Sequence, residues 1–421
     1  MGSQTQPVQG MSDVTGGEAR LWQWMEGRAR EVMRRYGFKE LRTPILEYES
    51  VFRRTVGETT DVVQKEMFAF ERGGRKYCMR PEGTAGVMRH AAGLGPQETA
   101  GARWFYWGPM FRCERPQAGR KRQFHQCGVE CLEEPSPVVD AEILALQVDL
   151  LREWGVDDVA VQLNTRGAHG DHAAVAAGLR EALAAHEGEL CEDCRRRIGE
   201  NVLRVLDCKE EGCRKVVESL PPVTEWMGEE SRAYLERVES LLRGMGVAVR
   251  RAPLLVRGLD YYEHTIWEIV GDAAGAQNAV AGGGRYRMEL GGRTLSGVGF
   301  AIGIERVAAL LASRGIAAAH EAERPLDAWL VGLGDAAVKA NLSLMRELRA
   351  AGLSCRMAPG GSAKSQMRAA NKSGASWAVV RGDFELEKGI VQLKNMTAGW
   401  QDEMSADVRQ LAERMSIGGG L

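Results

Sequence analysis

The chain has 421 residues, more than one hydrophobic core usually accommodates, and this length predicts two or three domains. Hydrophobic residues make up 44% and charged residues 27% of the chain, and the net charge of −2 excludes a protein that is basic over its whole surface, as generic nucleic-acid binders are. No apolar run approaches the roughly 20 residues of a membrane helix, and the polar start lacks the apolar core of a signal peptide, so we expect a cytoplasmic protein with no membrane partner.

The N-terminal part predicts an amphipathic helix followed by an extended segment. An apolar stripe runs at helical spacing from Leu21 to Ala29, and the helical pattern ends near Gly37. Residues 41–46 then have an extended pattern. Pro44 lacks a backbone N–H and therefore favours a sheet edge or an interface.

Residues 103–132 predict a long antiparallel hairpin, because aromatic and apolar residues alternate there with a period of two around a polar break at 115–122. Alternation places four side chains of the second strand on one face: Phe124, Gln126, Gly128 and Glu130. Between residues 103 and 125, six Arg or Lys against one Glu give a local charge of +5. A solvated polar sheet face is the alternative interpretation.

The middle of the chain predicts a helical insertion in an α+β domain. Residues 168–250 are helical in pattern and lack the aromatic strands on either side. Strand patterns return at 256–270 and in the glycine-rich stretch 279–299, and an amphipathic helix follows at 303–312. These elements predict one domain over residues 1–320, built around an antiparallel sheet.

A boundary near residues 321–325 precedes a small C-terminal α/β domain at 325–421. Predicted strands and helices alternate there, as in a three-layer fold. The strands lie at 328–333 and 377–380 and the helices at 336–350 and 362–373. This domain has 12 Arg or Lys against 10 Asp or Glu, a charge of +2 that supports contact with RNA only weakly.

Two short clusters carry groups that suit an amino-acid ligand. Glu82 and Thr84 put a carboxylate and a hydroxyl at a Pro/Gly turn, which is a good place to hold an ammonium group. The alternative is a turn that only connects two elements of secondary structure. Arg257, Tyr261 and Tyr262 put a guanidinium and two phenols within six residues, with an ordinary surface strand as the alternative.

Nucleotide binding, if present, would depend on arginines. The chain contains no P-loop and no HExxH pattern, so guanidinium groups would have to bind the phosphates of ATP. Arg112 and Arg306 suit that need, with exposed surface arginines as the alternative. The glycine run 281–284 would let the backbone approach a ligand closely, or would form a loose turn.

Four of the nine cysteines lie together inside the predicted insertion. Cys191 and Cys194 are followed by Cys208 and Cys213, a spacing that suits tetrahedral zinc held by thiolates. Reduced cysteines without a metal are an equal alternative. The remaining five are scattered and are expected to be packing residues: Cys78, Cys113, Cys127, Cys131 and Cys355.

Together these segments resemble the histidine–tRNA ligase family. The matching blocks are GMSD at 10–13, RPEGTA at 80–85, GPMFR at 108–112, ERPQ at 114–117, RQFHQ at 122–126, LVRGLDYY at 255–262, GFA at 299–301, ER at 305–306 and KSQMR at 364–368. The resemblance covers essentially the whole chain, and RGLDYY and RQFHQ are specific to this family and its paralogue. It implies a homodimeric class II aminoacyl-tRNA synthetase with a catalytic domain at 1–320 and an anticodon-binding domain at 325–421. Its substrates would be ATP with Mg²⁺, histidine and histidine tRNA.

The resemblance assigns the histidine site to Glu82, Gly83, Thr84, Gln126, Glu130, Arg257, Tyr261 and Tyr262. Three of these residues would hold the amino group of the substrate: Glu82, Thr84 and Gln126. Glu130 and Tyr262 would bond the two imidazole nitrogens.

The same match assigns the ATP site and the catalytic arginines. Phe124 would stack on adenine, while Arg112 would bind the α-phosphate and Arg306 the γ-phosphate. Arg257 would bridge the substrate carboxylate and the α-phosphate, so Arg257 and Arg112 would be catalytic.

The resemblance also assigns tRNA contacts and has one relevant departure. Gln117 and Arg122 match positions that contact the extra 5′ guanosine of histidine tRNA. Where the family usually continues GGGRY with Asp, this chain has Arg287, and the loop before Gly291 is about three residues short.

Two alternatives of other classes remain. A regulatory subunit of ATP phosphoribosyltransferase resembles the same catalytic core, but lacks the C-terminal domain and tends to lose the arginine and tyrosine set. A tRNA-binding sensor with an inactive site is the second alternative. Intact Glu82, Arg112, Arg257 and Arg306 argue against it.

Overall fold

A computed structural model of the protein describes residues 5–57, 60, 62–114, 121–271, 279–322 and 325–417. The chain divides into two compact units after residue 322. The helices of the first unit are α1 (Gly16–Arg35), α2 (Glu49–Val56), α3 (Thr84–Ala92), α4 (Pro96–Thr99), α5 (Pro137–Glu153), α6 (His172–Ala184), α7 (Glu192–Glu200), α8 (Glu211–Ser219), α9 (Glu229–Gly244), α10 (Ile304–Ser313) and α11 (Ala317–Glu321). Its strands are β1 (Lys39–Glu40), β2 (Leu46–Tyr48), β3 (Ala69–Arg72), β4 (Arg75–Met79), β5 (Arg103–Phe111), β6 (Gln123–Leu132), β7 (Ala160–Thr165), β8 (Val249–Arg251), β9 (Tyr262–Val270), β10 (Ala279–Leu290) and β11 (Arg293–Gly303).

One eight-stranded sheet organises the first unit, in the order β1-β5-β6-β11-β10-β9-β7-β8. Its neighbours are antiparallel except for the short end pairs β1/β5 and β7/β8. The predicted hairpin is confirmed, because β5 and β6 pair antiparallel along their whole length. The α+β fold class predicted from the sequence is therefore correct.

The alternation of β6 separates a packing face from a face that is free for chemistry. Cys127, Val129 and Cys131 point into the main hydrophobic core, where α1, α5 and α10 cover the sheet. Since successive side chains of a strand point to opposite faces, Gln126 and Glu130 lie on the other side. The sequence pattern thus places the polar residues of β6 together.

The glycine-rich stretch forms strands, which corrects the loose turn considered for residues 281–284. They lie inside β10, which pairs with both β9 and β11. The residues before Gly291, expected to form a shortened loop, belong to strand β10. The strand ends in the two-residue turn Gly291-Gly292, whose φ angles are +62° and +75°. Positive φ at both positions matches the twist of a tight hairpin and favours glycine. Arg287 is exposed on β10.

The strand predicted at 256–270 is wrong for its first six residues, because regular structure begins at Tyr262. In the sheet β7 separates β8 from β9, so the chain leaving β8 must cross β7 before it can pair. Residues 252–261 make that crossing without a ladder of their own.

The insertion is helical, as predicted, but its helices belong to two cores. The apolar residues of α6 and α8 pack with Cys194 and Cys213 in a small separate core. By contrast, Leu235, Val238 and Leu242 of α9 belong to the main core of the unit. The independently packed part of the insertion therefore ends before α9.

The second unit is a three-layer α/β fold, as predicted. Its strands are β12 (Ala328–Gly332), β13 (Cys355–Met357), β14 (Trp377–Arg381), β15 (Ile390–Asn395) and β16 (Gln401–Ser405), in the order β13-β12-β14-β15-β16. Its helices are α12 (Asp335–Ala350), α13 (Ala363–Ser373), α14 (Asp383–Lys388) and α15 (Val408–Ile417). Leu330 packs with α12 and α15 on one face of the sheet, and Trp329 packs with α13 on the other.

Candidate active site

A cleft of about 190 Å³ opens where β6, β10, β11 and the start of α10 meet. Five residues singled out from the sequence line it: Arg112, Phe124, Gln126, Arg257 and Arg306. The structure therefore brings these residues, which are far apart in the sequence, to one cleft. Further charged side chains in the lining are Glu114, Lys121, Glu268 and Glu305.

Arg112 is held against the predicted stacking ring. Its Nε donates a hydrogen bond of 3.0 Å to the carbonyl of Pro81. Its guanidinium carbon lies 5.2 Å from the centre of the Phe124 ring, within cation–π range. The guanidinium and the ring thus form one wall that suits a planar base and an adjacent phosphate.

Arg306 reaches the cleft from the first turn of α10. Ile304 and Val307 of the same helix are buried in the main core, which leaves Arg306 on a different face. Its Nη1 donates a hydrogen bond of 2.5 Å to the carbonyl of Ala279 at the start of β10. A second guanidinium is thereby fixed at the cleft.

Arg257 lies across the backbone of β10, where only glycine leaves room for it. A Cβ at Gly282 would lie 2.5 Å from Nη1 of Arg257, so a larger residue would displace the guanidinium. The same Nη1 donates a 2.8 Å hydrogen bond to Glu268 of β9. Its buried Nε has no hydrogen-bond partner among the described residues. The head group is thus anchored on one side and has an unused donor on the other.

Glu82 is fixed at the N-terminus of α3. Its carboxylate accepts hydrogen bonds of 2.7 Å from the backbone N–H groups of Thr84 and Ala85, a capping arrangement that orients both oxygens. Burial raises the pKa of Glu82, and these N–H groups oppose the rise. A buried acid at this position suits an ammonium partner.

Glu130 is 1% exposed and has one oxygen without a partner. Its Oε2 accepts a 2.7 Å hydrogen bond from the Tyr286 hydroxyl, whereas Oε1 has no hydrogen-bond partner among the described residues. Burial raises the pKa of Glu130 to about 8. An unpaired buried oxygen is costly, and a ligand N–H would satisfy it.

Glycines allow aromatic rings to pack close to the backbone near these acids. A Cβ at Gly83 would lie 2.3 Å from the ring of Tyr106, so Gly83 admits that ring. A Cβ at Gly284 would lie 2.8 Å from the ring of Tyr262. Tyr261 contacts Tyr262, with ring centres 4.7 Å apart.

The sequence reasoning missed Tyr106, Glu268 and Tyr286 as candidate site residues. Tyr106 faces Gly128 across the β5/β6 pair, and a Cβ at Gly128 would overlap its ring. That signal needs the strand register, which the sequence alone does not give. Tyr286 stood within the GGGRY block and was not assigned a role.

Of the two predicted tRNA contacts, the structure describes only Arg122, which lies next to the cleft residue Lys121. Arg122 itself does not line the cleft. Its Nε and Nη1 donate to the carbonyls of Glu114 and Gln9 at 3.3 and 3.4 Å. Gln117 lies outside the described residues.

The four insertion cysteines come together in space. The Sγ atoms of Cys191, Cys194, Cys208 and Cys213 all lie within 4.8 Å of one another. The Sγ atoms of Cys191 and Cys208 are 3.9 Å apart. Sulfurs around a tetrahedral zinc ion with Zn–S bonds of about 2.3 Å are about 3.8 Å apart. Of the other five cysteines, Cys113 is exposed, so its assignment as a packing residue is wrong.

Comparison with known proteins gives consistent matches along the chain. A family model described as histidyl-tRNA synthetase matches residues 10–307, and one described as anticodon binding domain matches residues 327–412. Histidine–tRNA ligase of Anaeromyxobacter dehalogenans is 44% identical over 419 residues, covering 97% of this chain and 99% of the relative. The Halothermothrix orenii enzyme of the same name is 42% identical over 404 residues, covering 94% and 95%.

A solved structure agrees with these relatives. Apo histidyl-tRNA synthetase of S. aureus superposes with a TM-score of 0.79 at 32% identity. The match covers 97% of this chain and 99% of that one.

Proposed function

The chain belongs to the histidyl-tRNA synthetase family and charges tRNA with histidine, and we propose how its described residues divide this work. Its substrates are ATP with Mg²⁺, histidine and tRNA. The observation that carries the proposal is the convergence of Arg112, Arg257 and Arg306 on one cleft, together with the two buried acids Glu82 and Glu130.

The cleft performs the first half-reaction. The carboxylate of histidine attacks the α-phosphorus of ATP in line, and pyrophosphate leaves as histidyl-adenylate forms. The protein positions the reactants and stabilises charge on the phosphoryl oxygens. Arg112 would bind the α-phosphate, and Arg306 the γ-phosphate. Arg257 would join the α-phosphate to the substrate carboxylate.

ATP enters as its Mg²⁺ complex. Carboxylates line the same cleft at Glu114 and Glu305, and carboxylate oxygen is a ligand type that Mg²⁺ accepts. These two residues would hold the ion, which screens the charge of the phosphates.

The buried pocket would recognise the substrate side chain and amino group. Glu82, Thr84 and Gln126 would take the ammonium group. Oε1 of Glu130 would bond one imidazole nitrogen, and the Tyr262 hydroxyl the other. An analogue that lacks either ring nitrogen would leave a buried polar group unpaired, so the pocket would reject it.

The second half-reaction needs contacts with tRNA. Gln117 and Arg122 would contact the acceptor end, and the local charge of +5 in the hairpin would attract phosphates. The second unit would bind the anticodon. In α13, Lys364 and Arg368 are exposed, while Gln366 is anchored by hydrogen bonds to both the N–H and the carbonyl of Gly332.

The cysteine cluster would hold one structural Zn²⁺. Four thiols within 4.8 Å of one another can supply all four ligands of a tetrahedral zinc ion, as in structural zinc sites. Cys194 and Cys213 are buried in the small core of the insertion, which is otherwise assembled from short helices. The metal would therefore stabilise that core.

The active form would be a homodimer. The three-stranded sheet β2-β4-β3 exposes an apolar surface that includes Leu46, Tyr48 and Phe70, each nearly half exposed. A continuous apolar patch on a sheet whose edge strand is β2 favours burial against a second copy. No helix in the described part of the chain is long and apolar enough to cross a membrane. A cytoplasmic location agrees with nine unpaired cysteines, because a reducing compartment keeps thiols free.

Histidine-dependent exchange of pyrophosphate into ATP tests the proposed roles. Wild-type protein should catalyse the exchange with histidine and not with other amino acids, and Arg112→Ala should lose it. A chain that binds tRNA without any exchange would be a sensor or regulatory protein, and the division of work proposed here would be wrong.

A further inference from the structure

The segment that carries Arg257, Tyr261 and Tyr262 lies between two hydrophobic cores. Leu254 and Val256 pack against the small core of the insertion. Leu255 and Leu259 pack against another core of the first unit, which contains buried residues of α2 and α3. Residues 252–261 have no strand ladder. Their position therefore depends on these side-chain contacts and on single hydrogen bonds, such as those from Asn164 to the Leu255 carbonyl and from the Arg287 N–H to the Tyr261 carbonyl.

Asn201 and Arg204 of the insertion both reach the part of this segment that precedes Tyr261. Asn201 donates a hydrogen bond of 3.1 Å from Nδ2 to Oδ1 of Asp260. Arg204 lies over Gly258, where an added Cβ would come within 3.1 Å of its Nη1. Both insertion residues belong to a turn that spans 201–205, between Cys194 and Cys208.

Asp260 is tied to the catalytic core on its other side. Its backbone N–H donates a 3.2 Å hydrogen bond to the carbonyl of Val56 at the end of α2. Gly57 follows with a φ of +105°, and a Cβ there would overlap the Asp260 carboxylate. Asp260 therefore joins the insertion to the pocket wall immediately before Tyr261.

We propose that Asn201 is a positioning residue for histidine binding: its amide holds Asp260, and through it the segment of Arg257 and Tyr262, in the geometry that receives the substrate. The cysteine cluster fixes both flanks of the Asn201 turn, so the insertion acts as a brace for the amino-acid site. Supporting contacts of this kind set how well a binding residue is preorganised. This proposal rests on the assignment of histidine recognition to Tyr262 and Arg257.

Pyrophosphate exchange with Asn201→Ala gives the test. We expect the KM for histidine to rise about tenfold, the scale of losing one hydrogen bond to a charged group, while the KM for ATP changes less than about twofold. The metal content and melting temperature should stay at wild-type values. Asp207→Ala is the control: it removes an exposed side chain just after the turn that contains Asn201, and it should leave the KM for histidine and the KM for ATP unchanged.

Asp260→Ala removes the acceptor of the same hydrogen bond. It should also raise the KM for histidine, and the double variant should be no worse than Asp260→Ala alone, because the two residues act through one contact. Should Asn201→Ala fold poorly, this variant carries the test.

Tyr262→Phe separates failure of the brace from failure of the site assignment. A raised KM for histidine in Tyr262→Phe with wild-type kinetics in Asn201→Ala would overturn the brace alone. Unchanged KM in both would overturn the site assignment as well. If Asn201→Ala raised the KM for histidine and the KM for ATP equally and also melted at a lower temperature, Asn201 would have only a structural role. That result would also contradict the proposal.

Discussion

The hydroxyl of Tyr286 donates a 2.7 Å hydrogen bond to one carboxylate oxygen of Glu130, while the other oxygen has no partner among the described residues. The bond fixes the buried carboxyl group and leaves its second oxygen available for the histidine contact proposed above. Tyr286 lies on β10 and Glu130 on β6, so β11 stands between their strands. Gly297 of β11 leaves space for the tyrosine, because a Cβ there would lie 2.5 Å from its hydroxyl oxygen.

Tyr286→Phe should weaken histidine binding about tenfold or more. The change removes the hydrogen bond that orients the Glu130 carboxyl group for the substrate, a loss of about 1.5–3 kcal/mol. Histidine KM in pyrophosphate exchange measures it. Tyr36→Phe is the matched control, since Tyr36 donates a similar bond to Asp149 on the helical side of the unit. Equal effects of both variants would show that the Tyr286 bond has no special role in substrate binding.

Histidine binding should weaken as pH rises through about 8. Burial raises the pKa of Glu130 to about 8, so below that pH the free carboxyl carries a proton. If both ring nitrogens donate, one to Oε1 of Glu130 and one to the Tyr262 hydroxyl, histidine binds as an imidazolium beside a carboxylate. That pair carries the one proton that the free acid already holds between about pH 6.5 and 8, so binding there takes up none from solvent. Above 8 that proton must be taken up, and the Kd should rise by up to about tenfold per pH unit.

Calorimetry in two buffers of different ionisation enthalpy counts the protons taken up. The substrate amino group also titrates at high pH, so Glu130→Gln, which keeps that effect, supplies the baseline. Wild-type enzyme should take up more protons than the variant at about pH 8.5. Identical uptake by both proteins would show that histidine does not bind as an imidazolium paired with Glu130.

Arg122→Ala should slow aminoacylation and spare adenylate formation. The side chain lies outside the ATP cleft, in a segment with a local charge of +5. Loss of one phosphate or base contact weakens tRNA binding without touching the reacting atoms. Exchange and aminoacylation rates, measured side by side, give the comparison. An equal loss in both half-reactions would rule out a role specific to tRNA.

Purified protein should contain about one zinc ion per chain, because a closed set of four thiolates binds a single ion. Elemental analysis measures this directly. Cys191→Ser should lose the metal and melt at a lower temperature, whereas Cys113→Ser, which changes an exposed thiol elsewhere, should keep both. Metal-free wild-type protein whose melting temperature is unaffected by a chelator would contradict the zinc site.

The fold and many of the candidate site residues could be predicted from sequence where a local pattern specified them. Alternation along β6 placed Phe124 and Gln126 on the face that lines the cleft. The pattern failed at 256–261, because whether an apolar run pairs as a strand depends on which strands are neighbours in the sheet. Tyr106 and Tyr286 were missed for the same reason: each one matters through a glycine that faces it from another strand, and register is a property of the folded sheet.

Arg257 is the residue on which the chemical account depends. Gly282 makes room for its guanidinium, Glu268 anchors one end, and the buried Nε has no described partner. Negative charge builds on the α-phosphate oxygens as the carboxylate attacks, so a fixed guanidinium is worth most in the transition state. Arg257→Lys should restore little, since an ammonium group cannot span carboxylate and phosphate as a fork does.

The most direct measurement is the rate of pyrophosphate exchange by Arg257→Ala at saturating histidine and ATP. We predict a fall in kcat of at least about 10²-fold, the scale of losing one preorganised charge-stabilising donor, with tRNA affinity unchanged. Arg251→Ala is the control. It removes a half-exposed arginine that precedes Arg257 in the chain and pairs with Glu239, and it should keep wild-type kcat. A variant Arg257→Ala that retains most of its kcat would contradict the account.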